Sequence, residues 1–449
     1  MNFEGKKVLV VGMARSGIGA AKLLKELGAI VTINDSSSEE VLGEKIKKLE
    51  GIYDQKILGE TPSDMSTFDY VVLSPGVPTD LGFLKEARET GVKVIGELEL
   101  GYLIAKGDFI ALTGTNGKTT TTTLVGDIFE NSGADMRLVG NIGYPVVEKV
   151  LDSTEKSIFV TEVSSFQLET VEEFNPKIAA MLNITPDHLN RHKTMENYIE
   201  AKARIFENHG EDSFLVINSN CKDDFNLKDY PGTILQFSSK GKVDKGAFLK
   251  GDEIILKITD EKVLCNIKDL FVKGDHNYEN VMAAALMAYA YGVDLEVIRK
   301  SVLDFKGVEH RIEYVEEFDG RYFFNDSKGT NPDATMVAIK AMDKATVLIL
   351  GGKDKGSEFD EMVKSFGQTV DSVVALGDTK YIIEKSCRDA GFNKVYIVSD
   401  MKEAVEKAYE ISSEDMNILL SPACASWDMY ENFEVRGKHF KQCVKELRG

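Results

Sequence analysis

The stretch Phe109-Ile-Ala-Leu-Thr-Gly-Thr-Asn-Gly-Lys-Thr-Thr120 sets a glycine-rich turn between an apolar strand and a polar helix start. Such a turn can hold a nucleotide triphosphate, because the free N–H groups at a helix N-terminus and the aligned peptide dipoles favour an anion. Lys118 adds a positive charge for the outer phosphates, and the Thr119 hydroxyl can enter a Mg²⁺ shell. Gly114 and Gly117 let phosphates approach the backbone with no Cβ in the way. The pattern departs from the usual phosphate loop at Leu112, where that loop has its first glycine.

Two further apolar strands run into polar tips. Thr161-Glu162-Val-Ser-Ser-Phe-Gln-Leu-Glu169 puts a carboxylate at a strand end, where open α/β sheets bind ligands. Asn183-Ile-Thr-Pro-Asp-His188-Leu-Asn-Arg-His192 repeats the arrangement with an imidazole. Glu162, His188 and the Thr119 hydroxyl are expected to converge on one divalent cation, and oxygen-rich ligation with one imidazole suits Mg²⁺ or Mn²⁺. Nearer the start, Gly12-Met-Ala-Arg-Ser-Gly17 with Asp35 has the outline of a dinucleotide fingerprint, although Ala14 replaces its second glycine. A nucleotide diphosphate at this helix start is favoured over an NAD cofactor or a purely structural turn. Asp35 either accepts a bond from a ribose or base, or caps the turn that follows it.

The elements that must position these residues alternate between strand and helix. Lys7–Gly12, Ile30–Asn34, Tyr70–Leu73 and Val92–Ile95 read as strands, with a helix over 17–27 and a short one over 84–89. This first unit is expected to close near residue 98. A second, over 99–304, starts at the phosphate loop and continues through strands at 157–162, 179–183 and 214–218. Short alternating segments between about 232 and 272 read as antiparallel hairpins, and a helix over 278–291 follows. A third, over 305–449, has strands at 322–325, 346–350, 372–376, 394–397 and 417–420. The 449 residues thus read as an α/β chain of three domains.

A formal net charge of −19 argues against a nucleic-acid partner, which requires a basic surface. No apolar run approaches the roughly 20 residues of a membrane helix, and the N-terminus lacks the apolar length of a secretory signal. Five cysteines at 221, 265, 387, 424 and 443 form neither a disulfide framework nor a C-x-x-C pair, so a reducing cytoplasm is expected. Cys424 reads as a small packed residue.

Leu112-Thr-Gly-Thr-Asn-Gly-Lys-Thr-Thr, Glu162-Val-Ser-Ser-Phe-Gln-Leu, Asn183-Ile-Thr-Pro-Asp-His, Gly274-Asp-His-Asn-Tyr-Glu-Asn280, His310-Arg311, Asn325-Asp-Ser-Lys-Gly-Thr-Asn331 and Ser421-Pro-Ala-Cys-Ala-Ser-Trp-Asp428 follow one another along the whole chain. In this order they resemble the Mur ligases of peptidoglycan synthesis. Leu73-Ser-Pro-Gly-Val77 and Asn432-Phe-Glu-Val-Arg-Gly437 are similar to the member that adds D-glutamate. The resemblance implies a Rossmann-like N-terminal domain, a P-loop ATPase-like central domain and a Rossmann-like C-terminal domain. It implies ATP-dependent phosphorylation of the carboxylate of UDP-N-acetylmuramoyl-L-alanine, attack by the D-glutamate amine, and a tetrahedral intermediate that expels phosphate. Another amino-acid ligase of this family and a non-catalytic nucleotide-binding protein are the alternatives.

Carried over residue by residue, the resemblance assigns Gly114, Thr115, Asn116, Gly117, Lys118, Thr119 and Thr120 to the ATP phosphates. It assigns Glu162, His188 and Lys202 to catalysis and, with Thr119, to the metal, Lys202 acting as a carbamate. Asn277, Asn280, His310, Arg311 and Asp326 would frame the adenosine. Arg15, Ser16, Asp35, Ser36, Ser74, Gly76 and Asn141 would surround the UDP-linked substrate, and Lys328, Thr330, Lys355, Ser426 and Phe433 the D-glutamate. The pattern departs at Lys353, where an acidic residue is usual, and at Ser37, where an arginine is sometimes found. A monomer acting on small molecules in the cytoplasm is expected.

Overall fold

The computed structural model describes residues 2–47, 49–354, 356 and 358–448. Among them the chain divides into two compact units, Met1–Phe305 and Lys306–Gly449. The second boundary falls one residue beyond the expected 304/305, while the expected boundary at 98/99 lies inside the first unit. Three sheets form, two in the first unit and one in the second.

The first sheet is wholly parallel, in the order Gln55–Leu58, Ile30–Asp35, Lys7–Val11, Tyr70–Leu73, Lys93–Gly96. Its central strand is Lys7-Val-Leu-Val-Val11, apolar on both faces because helices cover both. The second sheet places Asp108–Thr113 between Ile178–Met181 and Ser157–Glu162. Thr233–Ser238 pairs in parallel with both of its neighbours, so the expected antiparallel region is confined to Gly246–Lys250, Glu253–Lys257 and Glu261–Asn266. The sheet of the second unit runs Glu313–Phe318, Arg321–Asn325, Asn417–Leu420, Thr346–Gly351, Val370–Leu376, Val395–Ile397, with only its first pair antiparallel.

The first two sheets share a core, and this joins them in one unit. Val8, Val10 and Ile33 belong to the same buried cluster as Phe109, Phe159 and Phe174. Phe109 stacks on Phe159 with centroids 4.6 Å apart and meets Tyr102 and Phe174 edge-on. The helix Glu97–Ile104, which connects the sheets, adds two buried carboxylates. Glu97 Oε1 accepts the N–H of Val147 at 3.0 Å, and Glu99 accepts those of Glu173 and Phe174 at 2.7 and 3.1 Å. Each carboxylate therefore ties the connecting helix to a loop of the second sheet.

Glu97 Oε2 is buried without a partner, and burial pushes the carboxyl up to about 7. An acid with a raised folded-state pKa favours the native state most when protonated, so its contribution is lost as pH rises from about 4.5 through about 7. Glu97→Gln removes this penalty while keeping an acceptor for Val147. The variant is expected to gain up to about 3 kcal/mol relative to the parent on going from pH 5 to pH 8, read by urea unfolding. An unchanged difference between the two pH values would show that Glu97 ionises as readily in the folded chain as in the unfolded one.

Candidate active site

The phosphate-loop residues sit at the C-terminal end of the central strand Asp108–Thr113, and the helix Lys118–Asn131 starts directly after them. Gly117 has φ +81°, and a Cβ there would stand 2.4 Å from Asn280 Oδ1, so conformation and space both require glycine. Asn280 thus packs against the turn, with Nδ2 donating to Asn277 Oδ1 at 3.4 Å. Thr119 is buried, and Lys118 and Thr120 are half-buried.

Polar side chains lock the loop from beneath. Asn183 Oδ1 accepts the Asn116 N–H at 2.8 Å, Asn183 Nδ2 donates to the Asn116 carbonyl at 3.0 Å, and the Asn183 carbonyl accepts the Thr115 N–H at 3.1 Å. Thr115 Oγ1 donates to the Thr185 carbonyl at 3.0 Å and lies 3.0 Å from the Tyr198 hydroxyl. Lys118 Nζ donates to the carbonyls of Gly114 and Thr115 at 2.9 and 2.8 Å. Asn183 and Tyr198 were given no role from sequence. A polar residue two positions past a buried strand facing the loop was the available signal for Asn183.

Lys202 lies in the helix Met195–Ala203, and its side chain is buried. Its amine donates to the Gly114 carbonyl at 2.9 Å and to Thr113 Oγ1 at 3.1 Å, and it stands 4.9 Å over the Tyr198 ring. Burial, then the nearby Lys118 ammonium, push its pKa down to about 7, against the opposing charges of Asp187 and Glu162. Glu162 is 1% exposed, in register with Leu112 across the sheet. Its Oε1 accepts Asn141 Nδ2 at 2.8 Å, and its Oε2 is buried without a partner. A buried carboxylate oxygen left without a partner is the kind of atom that serves a divalent cation with oxygen ligands. Among the described residues no group of three or more histidine, cysteine, aspartate or glutamate side chains forms a ready metal site.

The structure places Asn141 on Glu162, where its N–H also donates to the Glu162 carbonyl at 2.9 Å. His188 is exposed, with φ +53°, its ring 4.9 Å from Phe166 and its Nε2 3.5 Å from Asp187 Oδ2. In the first sheet Asp35 caps its own loops: one oxygen accepts the Met13 N–H at 2.7 Å and the other the Ser37 N–H at 2.9 Å. Ser74 Oγ donates to the Gly12 carbonyl at 2.8 Å. The Arg15 guanidinium lies over Tyr144 and 3.8 Å from Glu148, while Ser36 and Gly76 are exposed and Ser16 half-buried.

In the second unit Asp326 is buried and its carboxyl is pushed up to about 6 by that burial, although it accepts Ser421 Oγ at 2.7 Å and the Ile312 N–H at 3.2 Å. His310 is buried too, its Nδ1 2.9 Å from Asn325 Nδ2 and its ring edge-on to Phe433. Arg311 is exposed, Lys328 and Thr330 are half-buried, and Ser426 is buried. Lys355 lies outside the described residues. Cys424 is packed as expected, its thiol pushed up to about 11 by burial.

Comparison with known proteins gives the family of the chain. Family models match in chain order: the Mur ligase MurD-like N-terminal domain over residues 6–96, the Mur ligase middle domain over 112–288, and the Mur ligase glutamate ligase domain over 310–424. The chain is a Mur ligase. It is 49% identical to the UDP-N-acetylmuramoylalanine–D-glutamate ligase of Clostridioides difficile and 46% identical to that of Alkaliphilus oremlandii, each match covering all of both chains. Among solved structures, the UDP-N-acetylmuramate-alanine ligase MurC of Thermotoga maritima shares the fold, with a TM-score of 0.54 at 20% identity over 98% of this chain and 100% of that one. The three-domain α/β architecture of this Mur ligase is that of its family.

Asn183→Ala removes both side-chain bonds to Asn116 without touching a charged group. It is expected to lower kcat/KM for the nucleotide by about ten- to a hundredfold, the cost of a misplaced loop, with little change in unfolding temperature. Wild-type kinetics in this variant would show that Asn183 does not hold the loop in its working form.

Proposed function

We propose that this Mur ligase joins D-glutamate to UDP-N-acetylmuramoyl-L-alanine with cleavage of ATP to ADP and phosphate, a step of peptidoglycan precursor synthesis. The observation that carries the reading is full-length identity of 43–49% with curated D-glutamate ligases, together with a phosphate loop locked in place by Asn183, Thr115 and Lys118. The substrates are small molecules, and the proposed setting is the cytoplasm, with the chain working as a monomer. Among the described residues no helix is long and apolar enough to cross a membrane.

A carboxylate resists attack by an amine until one of its oxygens becomes a good leaving group, and transfer of the γ-phosphoryl group makes it one. Lys118 and the loop N–H groups would neutralise charge on the transferring phosphoryl group, and Thr115 and Asn116 would fix the loop that presents them. Thr119 and Glu162, with Lys202 as a carbamate, would hold Mg²⁺, which supplies charge neutralisation at the phosphates when bound. His188, at the exposed tip of the neighbouring strand, would meet the acyl phosphate. On sequence grounds alone, Asp326 is proposed for the ribose, and Asn277, Asn280, His310 and Arg311 for the adenosine. His310 is supported only as a positioning group, because it is buried and bonded to Asn325.

Arg15, Ser16, Ser36, Ser74 and Gly76, on the segments that follow three strands of the first sheet, would surround the UDP-linked substrate, and Asp35 would act by shaping their loops. Asn141, bonded to Glu162, would sit at the reacting end of that substrate instead of its nucleotide end. Lys328, Thr330, Ser426 and Phe433 would receive D-glutamate, and Lys355 is proposed with them on sequence grounds alone. Three domains are proposed, over 1–98, 99–304 and 305–449, with one sheet in each.

Phosphate release measured across amino acids with each UDP-linked precursor tests the assignment. Release is expected with D-glutamate and UDP-N-acetylmuramoyl-L-alanine together and with neither alone; turnover with another pair would redirect the assignment. A carbamate on Lys202 requires a neutral amine, and its burial beside Lys118 favours one. Lys202→Ala is expected to lose about a hundredfold or more in kcat, an effect of the size seen when a group acting on transition-state charge is removed. A small carboxylate in the buffer should restore part of it. Full activity in the variant would remove the carbamate and leave the ligase reading standing.

A further inference from the structure

Arg436 is the side chain whose burial and bonding remain without a function. It lies in the helix Phe433–Glu446 and is 2% exposed. Its Nε donates to Ser327 Oγ at 3.0 Å, one terminal nitrogen to the Ser327 carbonyl at 2.8 Å, and the other to the carbonyls of Cys424 and Ala425 at 3.0 and 3.2 Å. All four acceptors are neutral. Among the described residues no carboxylate forms an ion pair with it, and the acids that act on it from further away are Asp428 and Asp326. A guanidinium removed from water without a counter-ion is costly, and burial lowers its pKa to about 10.

The position of the charge explains why that cost is tolerated. Ser327 follows the strand Arg321–Asn325, and Cys424 and Ala425 follow Asn417–Leu420. Gly352 follows Thr346–Gly351, and a Cβ on it would stand 3.1 Å from the guanidinium. These are three adjacent parallel strands, and the guanidinium lies where their C-terminal ends meet. Open α/β sheets bind their ligands outside those ends. The chain segments it grips lead directly into Lys328, Ser426 and Phe433. Asp326, the nearest acid in sequence to Ser327, spends its oxygens on Ser421 Oγ and the Ile312 N–H instead of on the guanidinium.

We infer that Arg436 is a specificity-determining residue that selects an amino acid with an anionic side chain, its buried charge setting a positive potential at the sheet edge where that amino acid binds. The inference rests on the D-glutamate reading of the second unit. It makes Arg436 more than a strut: a strut would serve a neutral amino acid of the same shape equally well, whereas a buried charge discriminates between a γ-carboxylate and a γ-carboxamide. Arg436 acts through space and through the segments it fixes, so it is a positioning and electrostatic group and not a catalytic residue.

The test compares kcat/KM for D-glutamate and for its isostere D-glutamine in the full-length enzyme with ATP and UDP-N-acetylmuramoyl-L-alanine. Arg436→Met is expected to lower the D-glutamate to D-glutamine ratio about tenfold or more, the size of a charge interaction in a partly screened interior. Arg436→Lys, which keeps the charge but loses the fork, should keep most of the ratio while losing rate. Asp428→Asn removes one of the distant compensating charges and should move the ratio the other way, and it stands as a test even if Arg436→Met does not fold. Equal losses for both amino acids in Arg436→Met, or an unmoved ratio in Asp428→Asn, would reduce Arg436 to a structural role. If the parent enzyme does not turn over D-glutamate at all, the functional reading fails first, and the two failures are distinguishable.

Discussion

The Gly114 carbonyl, which accepts both Lys118 and Lys202 at 2.9 Å, is the interaction on which the site depends. A loop that offers its N–H groups to phosphate must still satisfy its carbonyls, and a buried carbonyl left unbonded is costly. Here two amines serve that purpose. The arrangement brings two positive groups together in a place from which water is largely excluded, and the nearby Glu162 offsets only part of their repulsion. Loss of a proton from the more buried amine relieves it. Burial and the Lys118 charge together push the Lys202 amine down to about 7, so the contact that fixes the loop also brings its deprotonation within reach of neutral pH.

Around that contact the fold does its positioning with strand ends. Glu162, Asn183 and the phosphate loop follow three neighbouring parallel strands, Ser157–Glu162, Ile178–Met181 and Asp108–Thr113. Register between them places Leu112 beside Glu162 and Thr113 beside Met181, so that the polar tips emerge together. The second unit repeats the device with Ser327, Gly352 and Cys424, and uses a buried arginine where the first uses a buried lysine. In both, a long basic side chain on a helix bonds the chain where it leaves a strand.

The sequence made the interior of each sheet legible and one edge of each obscure. Strands such as Lys7–Val11 and Ser157–Glu162 are buried on both faces and read as apolar runs, whereas Gln55–Leu58, Asp135–Gly140 and Glu313–Phe318 were not read as strands. All three are edge strands, half exposed and interrupted by charge, so neither run nor clean alternation marks them. The phosphate loop, Glu162 and Lys202 were legible because local spacing or family resemblance names them. The latches were not: Asn183, Tyr198 and Arg436 matter through partners from 11 to 109 residues away, and no local pattern announces such a bond. Asp35 was legible only as a choice between a ribose contact and a cap, and both of its oxygens bond backbone N–H groups, one of them in the turn that follows it.

The central claim is that the locked loop directs phosphoryl transfer to a carboxylate oxygen of the UDP-linked substrate. Turnover of UDP-N-acetylmuramoyl-L-alanine labelled with ¹⁸O in its terminal carboxylate, followed by mass spectrometry of the released phosphate, tests it most directly. One labelled oxygen is predicted to pass into each phosphate. Unlabelled phosphate accompanying full product formation would contradict the account, because the carboxylate oxygen would then never have carried the phosphoryl group.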